Sequence, residues 1–320
     1  MSEKTGNLTI PWDELHGFAE LFHMKNTSHI DLSVIIVSFN TSQLTLNCLK
    51  SLTYSLKKEK NLSSEIIVVD NASSDDSTRA IESFLQHSAV PIRLIKNKKN
   101  TGFGVANNQG VAKANGAYIL LLNSDTLIEH VDIASLLDYM GKNEKIGILT
   151  VSVRFPHGQI DPASHRGFPT IWRTFCYYSG LEQLTAKTPL NRFFGGYHLT
   201  YFDLTKTHEI DSPSGAFFLM SSKLYRKVSG FDESFFMYGE DLDLAYRVKK
   251  LGFSIVYYPQ YVILHLKHQS GLHADKKTQD LTRFHFYNAM KIFYKKHYAQ
   301  HHLNLVNNII YALIDLKAKL

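Results

Sequence analysis

From residue 31 onward the chain alternates between unbroken apolar runs and amphipathic segments. The run LSVIIVSFN (32–40) is apolar without alternation and ends in polar residues. That pattern predicts a strand buried on both faces, as in a parallel sheet. TSQLTLNCLKSLTYSL (41–56) then places Leu44, Cys48, Leu52 and Leu56 at helical spacing. EIIVVDNAS (65–73) predicts a second buried strand with Asp70 near its tip, and SDDSTRAIESFL (74–85) a helix opened by capping residues. PIRLIKN (91–97), GVANNQGVAKANG (104–116) and YILLLNSD (118–125) predict a strand, a helix closed by Gly116, and a fourth strand. A helix over 130–140 and a strand over 145–153 follow. Residues 155–210 are irregular and rich in aromatics, His and Gly. DSPSGAFFLMSS (211–222) predicts a small-residue turn and a strand. GEDLDLAYRVKKLG (239–252) predicts a helix with the stripe Leu244, Val248 and Leu251, and SIVYYPQYVILHL (254–266) one or two more strands.

Strand and helix in alternation imply an α/β fold with a mostly parallel sheet and helices on both faces. One domain is expected over 31–290. Residues 1–30, without clear period beyond a short helix over 13–23, form an N-terminal extension. Residues 291–320 form a C-terminal amphipathic helical tail, with Leu303, Val306, Ile309, Ile310 and Leu313 at helical spacing. In such sheets ligands bind at the carboxyl ends of the strands. Asn40, Asp70 and Asp125 fall at three such ends. Each alone also reads as a turn residue or cap; together they favour a site.

Composition narrows the classes. The 320 residues are 44% hydrophobic and 20% charged, as in a soluble globular protein. A net charge of +6 favours anionic partners. No compact Lys/Arg block with interleaved aromatics marks a nucleic-acid face. Cys48 and Cys176 form no CxxC, so neither a zinc site nor a disulfide scaffold is expected, and a reducing, cytoplasmic compartment is. The first residues lack the pattern of a signal peptide, and no apolar stretch approaches the ~20 residues of a spanning helix.

A carboxylate at the tip of a buried strand suits a hard divalent cation that also holds phosphates, which is one reading of Asp125; a helix cap is the other. Glu240, Asp241 and Asp243 crowd a helix start, where the dipole favours acids. The aromatic FDESFFMYGE before them would desolvate a carboxylate and raise its basicity, as a general base requires. His265 ends a strand and is a metal ligand or a structural histidine. NKKNTGFGVANNQG (97–110) is a Gly-rich turn into a helix, neither GxGxxG nor a P-loop, whose amides could approach a phosphate. Between 155 and 210, Arg166 and Arg173 can grip phosphate and Trp172 can stack on a sugar, with ordinary loop packing the alternative.

Taken together, VIIVSFN (34–40), IIVVDNASSDDS (66–77), NTGFGVANNQG (100–110), YILLLNSDT (118–126), SGAFFLMSS (214–222), GFDESFFMYGEDLDLAYRVKKLGF (230–253) and HLKHQS (265–270) resemble the family 2 glycosyltransferases of GT-A fold, in their rhamnosyltransferase-like branch. The resemblance implies a nucleotide-binding half, 31–126, and an acceptor-binding half, 127–290. It implies Asp70 at the nucleotide base, with Ser38, Asn40, Asn100, Gly102 and Asn108 around it. Asn123, Ser124 and Asp125 stand where the family has its metal-binding DxD, so the first acid is absent. Asp125 and His265 would hold Mg²⁺ or Mn²⁺. Asp241 would be the catalytic base, with Glu240 the second choice, and Arg166, Trp172 and Tyr238 would meet the acceptor. The implied activity is an inverting transfer of a sugar, L-rhamnose in this branch, from a dTDP- or UDP-linked donor. The acceptor would be a glycan or lipid-linked glycan of cell-surface polysaccharide synthesis at the inner face of the plasma membrane. The C-terminal tail would lie on an anionic membrane, pack on the domain or form a homodimer contact. An inactive sugar-nucleotide-binding scaffold subunit, a sugar nucleotidyltransferase and a retaining transferase are the alternatives.

Overall fold

The structure, a computed structural model, describes residues 30–266 and 276–319. The helix expected over 13–23 and the residues after Leu266 in HLKHQS lie outside the described residues. The first half contains β1 (Leu32–Ser38), α1 (Ser42–Lys58), β2 (Ser64–Asp70), α2 (Ser77–Leu85), β3 (Ile92–Lys96), α3 (Phe103–Val111) and β4 (Tyr118–Asn123). These strands pair in parallel in the order β3-β2-β1-β4. β1 is buried along its whole length, and its side chains alternate between two cores. Leu32, Val34 and Ile36 pack with Cys48, Leu49 and Leu52 of α1 on one face. Ile35 packs with Ile67, Val111 and Leu121 on the other. This explains why the strand shows no polar alternation.

The helix expected to reach Gly116 ends at Val111. Gly116 instead marks a close backbone approach: a Cβ there would lie 2.4 Å from the Ser33 amide nitrogen. Its glycine is required by the turn into β4 and not by a helix end.

The second half adds β5 (Thr126–Leu127), α4 (Ile133–Lys142), β6 (Ile146–Arg154), α5 (Ile171–Tyr178), α6 (Leu181–Leu184), α7 (Asn191–Phe194), β7 (His208–Glu209), β8 (Phe217–Ser221), α8 (Ser222–Lys227), α9 (Glu240–Lys250), β9 (Ser254–His265), α10 (Lys276–His297) and α11 (Asn304–Lys319). The sheet becomes mixed: its order is β3-β2-β1-β4-β8-β6-β9-β5, with β7 on β9. β8 runs antiparallel to both β4 and β6. Leu122 at the carboxyl end of β4 pairs with Phe217 at the start of β8. The excursion before β8 therefore returns to the sheet at its ligand edge. The irregular stretch 155–210 holds a 3-10 turn (Pro162–Ser164) and three short α-helices besides the β7 strand.

The boundary expected between 290 and 291 falls inside α10, which continues unbroken. Ala289 and Phe293 pack against Phe235 and Leu242, so this helix shares a core with α9 and the loop before it. Burial on both sides of residue 290 removes any physical reason for a boundary there.

Candidate active site

β4 delivers Asn123, Ser124 and Asp125 to the sheet edge, and the two residues of β5 pair with the end of β9. Thr126 lies opposite His265, and the Leu266 amide donates to the Asp125 carbonyl at 2.8 Å. This ladder sets His265 Nε2 3.1 Å from Asp125 Oδ1. On its other side His265 Nδ1 donates to Asp161 Oδ2 at 2.8 Å. Burial works against a charged ring here, but the Asp125 and Asp161 carboxylates outweigh it and lift the His265 pKa to about 9. The same geometry suits a cation. Two neighbouring ligands of an octahedral ion with bonds of ~2.1 Å stand roughly 3 Å apart. Asp161 fixes the ring so that Nε2 faces Asp125, as second partners of ligating histidines do. No cluster of three or more such ligands occurs among the described residues. An ion held here would take its remaining ligands from water and substrate phosphate.

α9 starts from two successive left-handed residues, Tyr238 at φ 70° and Gly239 at φ 78°. Positive φ is costly for a bulky residue, so the turn is held by its surroundings. Glu240, Asp241 and Asp243 are all buried, and their partners separate their roles. Asp241 Oδ2 accepts from Arg166 Nη2 at 2.7 Å, and Oδ1 from the Leu242 amide at 2.7 Å. Glu240 Oε2 has no partner among the described residues. Burial, then the neighbouring Asp241 charge, push the Glu240 pKa up to about 8. Asp243 accepts from Arg247 Nε at 2.8 Å, Lys296 Nζ at 2.7 Å and His297 Nε2 at 2.7 Å, which makes it a clamp between α9 and α10. Burial opposes the charge of Arg166, and the nearby carboxylates, Asp241 first and then Asp161, more than restore it. Asp125, His265, Asp161, Arg166 and Asp241 thus form one connected electrostatic chain.

The residues expected around the nucleotide divide into open and occupied groups. Asp70 Oδ2 accepts from Ser73 N and Thr78 Oγ1, whereas its buried Oδ1 has no partner among the described residues. Ser38, Thr41, Thr45 and Ser124 join through their hydroxyls below the sheet edge. Asn40 at φ 53° accepts from Ser74 N at 2.7 Å and so ties the ends of β1 and β2 together. Asn100 accepts from Asn71 and from the Gly102 amide. Gly102 at φ 88° passes so close to the Phe236 carbonyl that a Cβ would meet it at 2.5 Å. Asn108 donates to the Phe231 carbonyl and Glu233, and accepts from Tyr225 and the Phe231 amide. Its amide is fully spent on bracing the loop that leads to Glu240. It does not line a nucleotide pocket with a free group.

Of the residues expected to meet the acceptor, Arg166 is brought to Asp241. Trp172 is not: its Nε1 donates to the Phe193 carbonyl at 3.0 Å and its ring stacks on Phe175 at 5.8 Å, on the outer face of α5. Tyr238 is part-exposed and packs edge-on against Phe286. Sequence reasoning missed Asp161. Its local sequence, Asp-Pro-Ala-Ser, reads as a cap, and it is one, accepting from the Ala163 amide at 3.0 Å. Nothing local announces its second partner 104 residues away.

Residues 33–228 match the family model described as Glycosyl transferase family 2. An N-acetylglucosaminyl-diphospho-decaprenol L-rhamnosyltransferase of Mycobacterium tuberculosis is 28% identical over 253 residues, 75% of this chain and 78% of that protein. Rhamnosyltransferase WbbL of Escherichia coli K12 is 29% identical over 178 residues, 53% of this chain and 62% of that protein. Among solved structures, the mannosyltransferase PcManGT of Pyrobaculum calidifontis in complex with GDP-Man and Mn²⁺ aligns with TM-score 0.53 at 17% identity, over 87% of this chain and 71% of that one. GalNAc-T7 with UDP, GalNAc and Mn²⁺ aligns with TM-score 0.55 at 16% identity, over 75% of this chain and 44% of that one. These structural likenesses show the fold, which is GT-A.

Proposed function

We propose, from the premise that the chain belongs to glycosyl transferase family 2, that it moves L-rhamnose from a dTDP-linked donor to a hydroxyl of a lipid-linked glycan. That places its work at the inner face of the plasma membrane, in cell-surface polysaccharide synthesis. The donor and acceptor are argued from the two relatives named as rhamnosyltransferases, one of which carries a polyprenol-diphosphate acceptor in its name. The observation that carries the reading is a pair of contact clusters, Asp125–His265–Asp161 and Arg166–Asp241, whose charges act on one another through Asp161 and Arg166. They join a cation-binding pair to a carboxylate base at one edge of the sheet. An inactive scaffold has no use for that arrangement.

Residues 31–126 would serve the donor, and the elements that follow, α10 included, the acceptor. The unpartnered Oδ1 of Asp70 can accept from the imino N–H of a thymine or uracil base. Asp125 and His265 would hold Mg²⁺ or Mn²⁺, which neutralises charge on the departing diphosphate. Between the two acids of α9, burial and the Asp241 charge keep Glu240 protonated at neutral pH, so the base is Asp241. Arg166 and the Leu242 amide fix the Asp241 carboxylate, and each oxygen keeps a lone pair for the acceptor hydroxyl. Asp241 takes that proton, the hydroxyl oxygen bonds to the anomeric carbon, and the bond to the diphosphate oxygen breaks on the opposite face. The configuration inverts, so a β-linked donor gives an α product. General-base catalysis of this kind supplies roughly 10²–10⁴ in rate.

The test is a panel of sugar nucleotides, read by thermal shift and donor hydrolysis with and without Mn²⁺, on wild type, Asp125→Ala and Asp241→Asn. The expected result is Mn²⁺-dependent stabilisation by one dTDP-sugar, lost in Asp125→Ala, and retained donor binding with lost transfer in Asp241→Asn. Wild-type turnover by a folded Asp241→Asn protein would sink the mechanism, and stabilisation by a UDP-sugar alone would move the donor.

A further inference from the structure

We infer that the outer face of α5 to α7 and the exposed face of α11 form one surface that seats the enzyme on an anionic lipid bilayer. The inference rests on the lipid-linked acceptor proposed above. The first half of the surface is aromatic. Trp172, Phe175 and Phe193 are 51%, 54% and 71% exposed. Trp and other aromatic side chains with this exposure are characteristic of the membrane–water interface. The second half is a stripe on α11, where Leu305, Leu313 and Leu316 are 71%, 53% and 56% exposed at helical spacing. Large apolar side chains gathered on one face of a soluble chain mark an interaction surface. No helix of the described residues is long and apolar enough to cross a membrane, so such a face would lie in the interface.

The two halves meet. Lys317, one turn beyond Leu313, places its Nζ 5.1 Å from the centre of the Tyr178 ring at the end of α5. The α5 end is therefore set against the last helix of the C-terminal hairpin.

Charge complementarity selects the occupant. Residues 276–320 carry eight Lys and Arg against two Asp, a net +6, equal to the net charge of the whole chain. An apolar face within a segment holding all the excess positive charge fits anionic lipid. A second copy of the same basic segment would instead meet like charge. The surface also borders the acceptor side of the site. Arg173, on the inner side of α5, bonds to Asp211 and to the carbonyl of Phe168, which is two residues from Arg166. Phe286 of α10 packs on Tyr238, next to Gly239 and the acids of α9. An acceptor anchored in the bilayer would present its glycan beside Asp241.

The experiment is co-sedimentation of the full chain with vesicles of phosphatidylglycerol and phosphatidylcholine, against vesicles of phosphatidylcholine alone. Donor hydrolysis with Mn²⁺ and oligomeric state by light scattering are measured on the same samples. The expected result is binding to the anionic vesicles that weakens with salt. Lys317→Gln with Lys319→Gln should weaken it at least 10-fold, at roughly fivefold per basic residue. Phe175→Ser with Leu313→Ser should abolish binding while leaving hydrolysis unchanged. Binding that ignores lipid charge, or survives both pairs of substitutions, overturns the surface. So does a dimer that the Phe175 and Leu313 substitutions split without vesicle binding by the wild type. Hydrolysis with no vesicle binding overturns the surface and leaves the transferase reading standing; vesicle binding with no hydrolysis of any donor does the reverse.

Discussion

Replacing Asp243 by Asn removes a charge and almost no volume where α10 meets α9. Asp243 is fully buried and accepts from Arg247, Lys296 and His297 at 2.7–2.8 Å. An amide oxygen can keep one or two of these bonds, and its NH₂ group then faces a cation. Removing one partner of a buried ion pair costs about 3–5 kcal/mol, because the other charge stays buried without compensation. Arg247 keeps the Val228 and Gly230 carbonyls, and Lys296 keeps Asp232, which favours the lower end, about 3 kcal/mol. Against a total stability of about 5–15 kcal/mol that is a large loss. With a urea slope of about 3 kcal/mol per molar, the midpoint falls by about 1 M at pH 7. The pH dependence gives a second check. Burial raises the Asp243 pKa, but His297, Arg247 and Lys296 overcome it and hold the carboxyl below its ordinary range. A carboxyl depressed in the folded state stabilises above its unfolded value of about 3.9, and that stabilisation is lost as pH falls through the folded value. The gap between wild type and Asp243→Asn should therefore hold from pH 7 to 5 and narrow below pH 4. A midpoint within about 0.2 M of wild type at pH 7, or a gap unchanged in acid, would refute the clamp.

Asp161→Asn lets an amide N–H donate to His265 Nδ1, which puts the ring proton on Nε2, the nitrogen that faces Asp125; the Mn²⁺ concentration for half-maximal donor hydrolysis should rise about 10–100-fold, and an unchanged titration removes Asp161 from the site. Gly102→Ala puts a Cβ 2.5 Å from the Phe236 carbonyl at φ 88°, so urea unfolding should show a loss of at least about 1–2 kcal/mol from the left-handed backbone alone. Glu240 has its folded pKa raised to about 8, so the folded state keeps a proton that the unfolded chain releases, and stability falls as pH rises between the two values. Glu240→Gln should gain on wild type steadily from pH 5 to 8 in thermal unfolding; parallel curves would show that Glu240 is charged in the fold.

Much of the first half was legible because its physics is local. A strand buried on both faces must be apolar through its middle, and β1, β2 and β4 are over Val34–Val37, Ile66–Val69 and Ile119–Leu122. The polar residues that stop them are the residues of the edge, so Asp70 and Asp125 announce themselves. What the sequence hides is pairing. His265 and Asp125 each stand out, but their 3.1 Å contact depends on β5, two residues long, lying antiparallel to β9. Two residues carry no period. The mixed second half of the sheet was invisible for the same reason, since a strand's sense depends on where the chain returns. The amphipathic signal beyond 291 was real, but it marks the unburied half of a hairpin whose other helix belongs to the core.

The acids of GEDLDL show most directly where local pattern stops and tertiary contact decides. Three carboxylates in four positions look alike, and the helix dipole favours each of them. Helical spacing pairs Asp243 with Arg247 one turn on, and α10 completes that clamp with Lys296 and His297. A carboxylate so surrounded by cations is committed to holding two helices together. Glu240 meets no cation directly among the described residues, and burial beside its charged neighbour pushes its pKa up to about 8. Asp241 meets Arg166, which arrives from the loop on the ligand edge 75 residues earlier in the chain. The acid tied to that loop, and through its charge to Asp161 and His265, is the one electrostatically linked to the Asp125–His265 pair. Its role follows from the element its partner rides on, and the α9 sequence alone cannot supply that.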